Sequence, residues 1–185
     1  MEVREFFSLD ADLLAKVGRL RVEAWETETA RAAERSVWVD EFERVAWHWV
    51  VFRDGLPVAA ARLSLHDALT EVPDSESYAG VFSTPPETPI ASLNRLVVHP
   101  SARGNGLSRQ LDLVRIEAAE RLGARVAILS TASGQRRVAQ LVDLGFVFVG
   151  YGPTFKNPPL CHLPAPAVLL CQLPRVNAGG PTLLA

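Results

Sequence analysis

Between residues 90 and 122 the chain passes from a Leu- and Val-rich stretch through Pro100 and the run Arg103-Gly104-Asn105-Gly106-Leu107-Ser108. It then enters a segment whose apolar residues Leu107, Leu111, Val114, Ala118 and Leu122 share one helical face. The spacing predicts a strand over 90–99, a glycine turn, and a helix over 106–122 closed by Gly123. A strand, Gly-x-Gly and a helix together suit an anion: the glycines let backbone approach it, and the unpaired N–H groups of the helix start point at it. The tripeptide alone is equally what a tight helix start needs. Two common phosphate loops are set aside by residue type. A dinucleotide turn would place Gly where Arg109 stands, and a P-loop would need Gly-Lys-Ser or Gly-Lys-Thr, which is absent.

The rest of the chain arranges itself around this unit. Residues 3–7 read as a strand, and Ser8-Leu9-Asp10 supplies oxygens for a helix cap. An amphipathic helix carrying Leu14, Val17, Leu20, Ala24 and Trp25 follows from Leu13 to about Arg31. Residues 45–52 and 58–65 read as a hairpin about Asp54-Gly55. Residues 70–89, with Pro73, Pro85, Pro86 and Pro89, read as a loop with room for one short turn of helix. Strands over 125–130, 146–151 and 168–173 and a helix over 135–144, closed by Gly145, complete the order β-α-β-β, loop, β-α-β-α-β-β. This predicts a mixed sheet with helices on its faces, a single domain over 1–176 and a frayed tail over 177–185.

Composition narrows the partners. A net charge of −2 gives no overall basic excess for nucleic acid or an anionic membrane, so a small molecule is the expected partner. Cys161 and Cys171 form neither a CxxC pair nor a metal-ligand cluster, which fits a reducing cytoplasm. No apolar run reaches the roughly 20 residues that would span a bilayer, so a soluble protein is expected.

The run Val98-His99-Pro100-Ser101-Ala102-Arg103-Gly104-Asn105-Gly106-Leu107-Ser108 resembles the signature of the GNAT superfamily of N-acyltransferases. The similarity extends to Ala127-Ile128-Leu129-Ser130 and Leu144-Gly145-Phe146 downstream, and to Asp54-Gly55-Leu56-Pro57-Val58 and Ala61-Arg62-Leu63 upstream. It implies an α/β (α+β) fold with a mixed, mostly antiparallel sheet, splayed central strands and helices on both faces. It also implies acetyl-CoA or another acyl-CoA as co-substrate, without a metal. The pyrophosphate would lie on the amides of Arg103, Gly104, Asn105, Gly106, Leu107 and Ser108, and the pantetheine beside Leu96, Val97 and Val98. Direct attack by a primary amine would follow, with no covalent enzyme intermediate, and a homodimer is compatible with the family.

The family's usual acid–base side chains are missing. Gly134 and Leu141 stand where the resemblance leads one to expect Asn and Tyr, and Ser92 stands at about the position of an expected carboxylate. Tyr151 at a strand end, His48 between tryptophans and Ser92 itself are the catalytic candidates, with His99, His66 and Glu71 behind them. For Tyr151 boundary packing competes with the catalytic reading, and for His48 a satisfied place in the sheet does. Arg136 and Arg137 open a helix near the expected CoA phosphates, where a guanidinium could bind phosphate or stand as solvated charge. Trp25, Trp38, Trp47 and Trp49 read mainly as packing.

A second, looser similarity runs through Asp40-Glu41-Phe42-Glu43-Arg44-Val45-Ala46-Trp47-His48, Ala61-Arg62-Leu63 and Asn94-Arg95-Leu96. It is to the branch of N-acyl amino acid and acyl-homoserine-lactone synthases, and implies longer acyl groups, often from acyl carrier protein. A non-catalytic acyl-CoA-binding module is the reading from a different class.

Overall fold

The computed structural model describes residues 2–26, 36–154 and 163–175. The far end of the predicted first helix, Cys161 and the 177–185 tail lie outside them. Seven strands form one sheet in the order β1-β2-β3-β4-β5-β7-β6. They are β1 (Glu2–Phe7), β2 (Trp47–Arg53), β3 (Leu56–His66), β4 (Ile90–Val98), β5 (Val126–Thr131), β6 (Val147–Tyr151) and β7 (Ala167–Gln172). Among the described residues three α-helices connect them: α1 (Ala11–Glu26), α2 (Leu107–Arg121) and α3 (Gln135–Val142). Every neighbouring pair is antiparallel except β4 and β5, which run parallel.

Local chemistry sets the boundaries. The Asp10 carboxylate accepts the Leu13 N–H at 2.9 Å and starts α1. Asp54 and Gly55, with φ of 52° and 77°, make the tight β2–β3 turn whose twist matches its flanking strands. Two expectations are corrected. Val45 closes a 3-10 turn over Glu41–Val45 capped by Asp40, so the strand expected from residue 45 starts at Trp47. The 70–89 segment carries two short helical turns where one was allowed for, the 3-10 turns at Leu69–Glu71 and Ser75–Tyr78, which fold part of it onto the sheet.

The period of two along each strand divides the core. Val51, Ala59, Ala61, Leu63, Leu93, Ala127, Leu129 and Leu169 face α2, meeting Leu107, Leu111 and Ile116. Trp49 is buried on this side and Trp47 packs against it. On the opposite face Val50, Ala60 and Val97 meet Val17, Leu20 and Ala24 of α1. Farther along that face, Ile90, Val126, Ile128 and Val168 are covered by Val72 and Tyr78 of the 69–82 segment. Helices thus flank the sheet on both sides.

Candidate active site

The site begins where β4 and β5 part. They pair only through Ile90, Ala91 and Ser92 on β4 and Val126, Ala127 and Ile128 on β5. Beyond that, β4 continues against β3 and β5 against β7, leaving a V-shaped cleft edged by unpaired strand groups. A β-bulge bends the β4 edge. Between the pairs Arg62–Asn94 and Ala60–Val97, one residue of β3, Ala61, opposes two of β4, Arg95 and Leu96, and Arg95 takes up a φ of 52°. Arg115, projecting from α2, donates to the carbonyl oxygens of Arg62 and Asn94 at 3.2 and 3.3 Å, so the disrupted ladder is braced from behind.

At the open end of the V, β4 runs into the glycine turn. Gly104 and Gly106 have φ of 81° and 73°, a backbone that side-chain-bearing residues rarely adopt, and open space lies where a Cβ would stand. No side chain caps the start of α2. Asn105 braces the turn by donating from its side-chain amide to the carbonyl oxygens of Ala102 and Arg103. The Arg103 guanidinium donates to the carbonyl oxygens of Val98 and Ala24, which joins the turn to the end of α1. A groove of about 230 Å³ lies over this turn, lined by Leu96, Val97, Val98, Arg103, Gly104, Gly106, Leu107 and Ser108. Arg137, not Arg136, turns toward the adjoining cleft. Arg136 is exposed, whereas Arg137 is half-buried and holds Asp112 through two bonds of 2.5 and 2.8 Å.

Trp25, Leu96, Val97 and Ser133 belong both to this groove and to a second cavity, of about 140 Å³, inside the V. The guanidinium-bearing residues Arg21, Arg95, Arg115 and Arg137 line it, against one carboxylate, Asp74. Their partners stand behind them. Arg115 and Arg137 share Asp112; burial draws the Arg115 guanidinium down to about 10 although Asp112 opposes this. On the α1 side Arg21 and Arg62 share Glu43, Arg62 and Arg95 share Asp40, and Arg95 also reaches Asp74. Burial pushes the Asp40 carboxyl up, but its bonds and charge contacts with Arg62 and Arg95 outweigh that and hold it at about 2.

The other sequence candidates fall in different places. His48 is buried on the α1 face, its Nε2–H donating to the Glu43 carbonyl oxygen at 3.1 Å, and burial lowers its pKa. It occupies a satisfied place in the sheet. Ser92 lies at the apex of the V, fully buried, its hydroxyl oxygen accepting from Asn94 Nδ2 at 3.1 Å. Tyr151 is 67% exposed on the edge strand β6, its ring against Phe148, and does not reach the cavity wall. His99 caps the 3-10 turn before Arg103, accepting the Ser101 N–H at Nδ1. His66 pairs with Ser64 at 2.8 Å, and Glu71 is exposed. Gly134 caps α3 with φ of 80°, while Leu141 is wholly buried in the α2-side core. Several wall residues escaped the sequence reading, Arg21, Asp74 and Arg115 among them. Another is Tyr78, which comes from the Pro-rich segment and is buried against the apex with its hydroxyl toward Ser92 and Ser130. Among the described residues no group of three His, Cys, Asp or Glu could hold a metal ion.

A parallel pair opened into a V, with an uncapped glycine turn at its mouth, is the arrangement of an acyl-CoA-binding transferase. Residues 13–146 match the profile of the acetyltransferase (GNAT) family, and the chain belongs to that family. Its fold is similar to that of the CoA-dependent acyl-homoserine lactone synthase BjaI, seen with SAM and isopentyl-CoA, at a TM-score of 0.68 and 16% identity over 92% of this chain and 83% of the other. It is likewise similar to the ribosomal-protein-S18-alanine N-acetyltransferase from Escherichia coli (TM-score 0.63, 15% identity, 96% and 97% covered). An acyl-CoA N-acyltransferase from Pseudomonas aeruginosa gives a TM-score of 0.60 at 22% identity, with 92% and 98% covered. No curated protein sequence matches the chain. The protein is an N-acyltransferase whose family uses acyl-CoA as co-substrate.

Proposed function

We propose that this enzyme transfers a short acyl group, acetyl first, from acyl-CoA to a primary amine by direct attack. The observation that carries this reading is the continuity of the groove over Gly104 and Gly106 with the cavity inside the V. In this reading pyrophosphate lies on the amides of residues 103–108, pantetheine lies along Leu96, Val97 and Val98, and the thioester enters the V. A β4 amide directed at the thioester carbonyl would stabilise the developing oxyanion. The amine forms the C–N bond as the C–S bond breaks, CoA leaves as its thiolate, and the surplus amine proton passes to solvent. A cavity of about 150 Å³ accommodates a molecule the size of benzene. The 140 Å³ here therefore favours a short acyl group.

His48 and Tyr151 lie outside the cavity wall, so neither is positioned to exchange a proton with a substrate there. Ser92 is fully buried at the apex beside Tyr78, with its hydroxyl accepting from Asn94, so it is not placed to act as a base. A small-molecule amine as partner, with no nucleic acid or membrane, and a cytoplasmic location belong to the same proposal, supported by the net charge of −2. Among the described residues no helix is long and apolar enough to cross a membrane.

Free-thiol release from acetyl-CoA against an amine library tests the reading. Release above buffer with at least one amine is expected. Calorimetric CoA binding without release from any donor would make the chain a non-catalytic acyl-CoA module. Around the cavity Arg21, Arg62, Arg95, Arg115 and Arg137 pair with Asp40, Glu43, Asp74 and Asp112, and the one positive charge in excess favours an acceptor that brings its own negative charge. An α-amino acid should exceed its own carboxamide by about tenfold in kcat/KM. Equal rates for the pair would remove the guanidiniums from acceptor recognition.

One observation favours longer acyl groups as a second reading. Asp40, Glu43, Arg62 and Arg95, all within the stretches similar to the acyl-homoserine-lactone synthase branch, come together in one network beside the V. That branch would also admit acyl carrier protein as donor, and a homodimer fits either reading.

A further inference from the structure

The cleft between β4 and β5 has a floor. The 3-10 turn Ser75–Tyr78 carries Tyr78 to the α1 side of the sheet at the point where the strands separate. Its hydroxyl faces Ser92 on one strand and Ser130 on the other. Ser92 belongs to the last β4–β5 pair, and Ser130 lies two residues past Ile128, its counterpart on β5. The phenol therefore spans the apex of the V. Burial raises its pKa well above the ordinary value, so it stays neutral and protonated between the two serines.

On its other side the ring joins an apolar cluster with Val72, Ile90, Val126, Ile128 and Val168, and Phe82 stacks on it at 6.4 Å. Side chains beyond the ring thus offer apolar surface, with the ring closing the way to it.

Position along β4 orients the donor. Val98 adjoins the glycine turn, Leu96 and Val97 line both the groove and the cavity, Leu93 lines the cavity alone, and Ser92 comes next beneath Tyr78. A donor with its pyrophosphate on the turn and its pantetheine along this edge has its acyl end directed at Tyr78.

We propose that Tyr78 is the floor of the acyl pocket and sets the longest acyl chain the enzyme accepts, its hydroxyl facing the point where the two strands part while its ring bars the apolar cluster behind. This rests on the acyl-transfer reading, and it names a specificity residue from outside the glycine turn and the strands. One methylene too many in such a pocket costs about 10- to 200-fold in kcat/KM.

The test uses acetyl-, butanoyl-, hexanoyl- and octanoyl-CoA with one accepted amine. Wild-type kcat/KM should fall by at least about tenfold per step once the chain meets the ring. Tyr78→Ala should raise hexanoyl and octanoyl transfer by at least about tenfold relative to acetyl, while Tyr78→Phe keeps the wild-type cut-off because the ring remains. A merely structural tyrosine would change rates with all four donors alike. A flat wild-type profile, or a folded Tyr78→Ala with the wild-type profile, overturns the proposal. Should Tyr78→Ala not fold, Tyr78→Leu takes its place, and the wild-type cut-off is measured in either case. If no amine is acylated from any donor, the transferase reading fails separately. Calorimetry with the same donors then decides about the floor: affinity must fall with chain length in the wild type and not in the variant.

Discussion

Gly106→Glu should abolish CoA binding in a protein that still folds, with affinity falling at least about 100-fold by calorimetry. Two effects combine. A residue with a Cβ is strained by about 1–2 kcal/mol at a φ of 73°, and the new carboxylate stands where pyrophosphate must come. At about 4 Å and an effective dielectric near 20, one such unit-charge repulsion is worth about 4 kcal/mol, roughly a thousandfold. The open space around the missing Cβ means that no neighbour clashes with the side chain, so beyond the backbone strain the loss belongs to the ligand. Gly55→Glu separates strain from site. Gly55 has a similar φ of 77° and equally open surroundings, but lies in the β2–β3 hairpin away from the groove. It should lower stability comparably and leave CoA affinity unchanged. Gly106→Ala should fall between the wild type and the glutamate. Unchanged CoA affinity in folded Gly106→Glu would refute the pyrophosphate assignment.

The turn was legible in the sequence because its chemistry is local: the glycines take up positive φ and the following helix exposes N–H groups, both facts of a few consecutive residues. The strands and helices were legible through periodicity, and the splay only through the family resemblance. Tyr78 was not. It reaches the apex from a four-residue 3-10 turn among prolines, too short to show a period, and its partners are 14 and 52 residues ahead. The pair Arg136 and Arg137 shows another limit. Adjacent helical residues point about 100° apart, so a shift of one moves the guanidinium from the cavity to solvent. The buried arginines did leave a signal. Arg21 follows Val17 by four residues and Arg115 follows Leu111 by four, which places each on its helix's apolar stripe, where a charge needs a buried partner. Naming that partner required the tertiary fold, because Glu43 lies in a different element from α1.

Glu43→Gln should destabilise the protein by about 3–5 kcal/mol, read as a drop in melting temperature of about 6–20 °C, even though it keeps the shape of the side chain. Glu43 is 2% exposed and stands between Arg21, which is 1% exposed, and Arg62, which is wholly buried. Arg62 retains Asp40 when that charge is removed, but Arg21 loses its carboxylate partner, and its Nε already has no hydrogen-bond partner. An uncompensated buried guanidinium is the expensive outcome. Asp74→Asn provides the contrast. Asp74 is 39% exposed and Arg95 keeps Asp40, so the loss should stay under about 1 kcal/mol. Asp40 adds a pH signature to the same network. Its folded pKa of about 2 lies below the ordinary carboxylate value of 3.8, so its contribution of about 2 kcal/mol is present above pH 3.8 and is lost as pH falls toward 2. Urea unfolding across that window should show the loss in the wild type and a shallower slope in Asp40→Asn. Equal stabilities of Glu43→Gln and Asp74→Asn would mean that the arginines do not depend on these carboxylates, and the network could not then be what holds the bulged β4 edge beside the cleft.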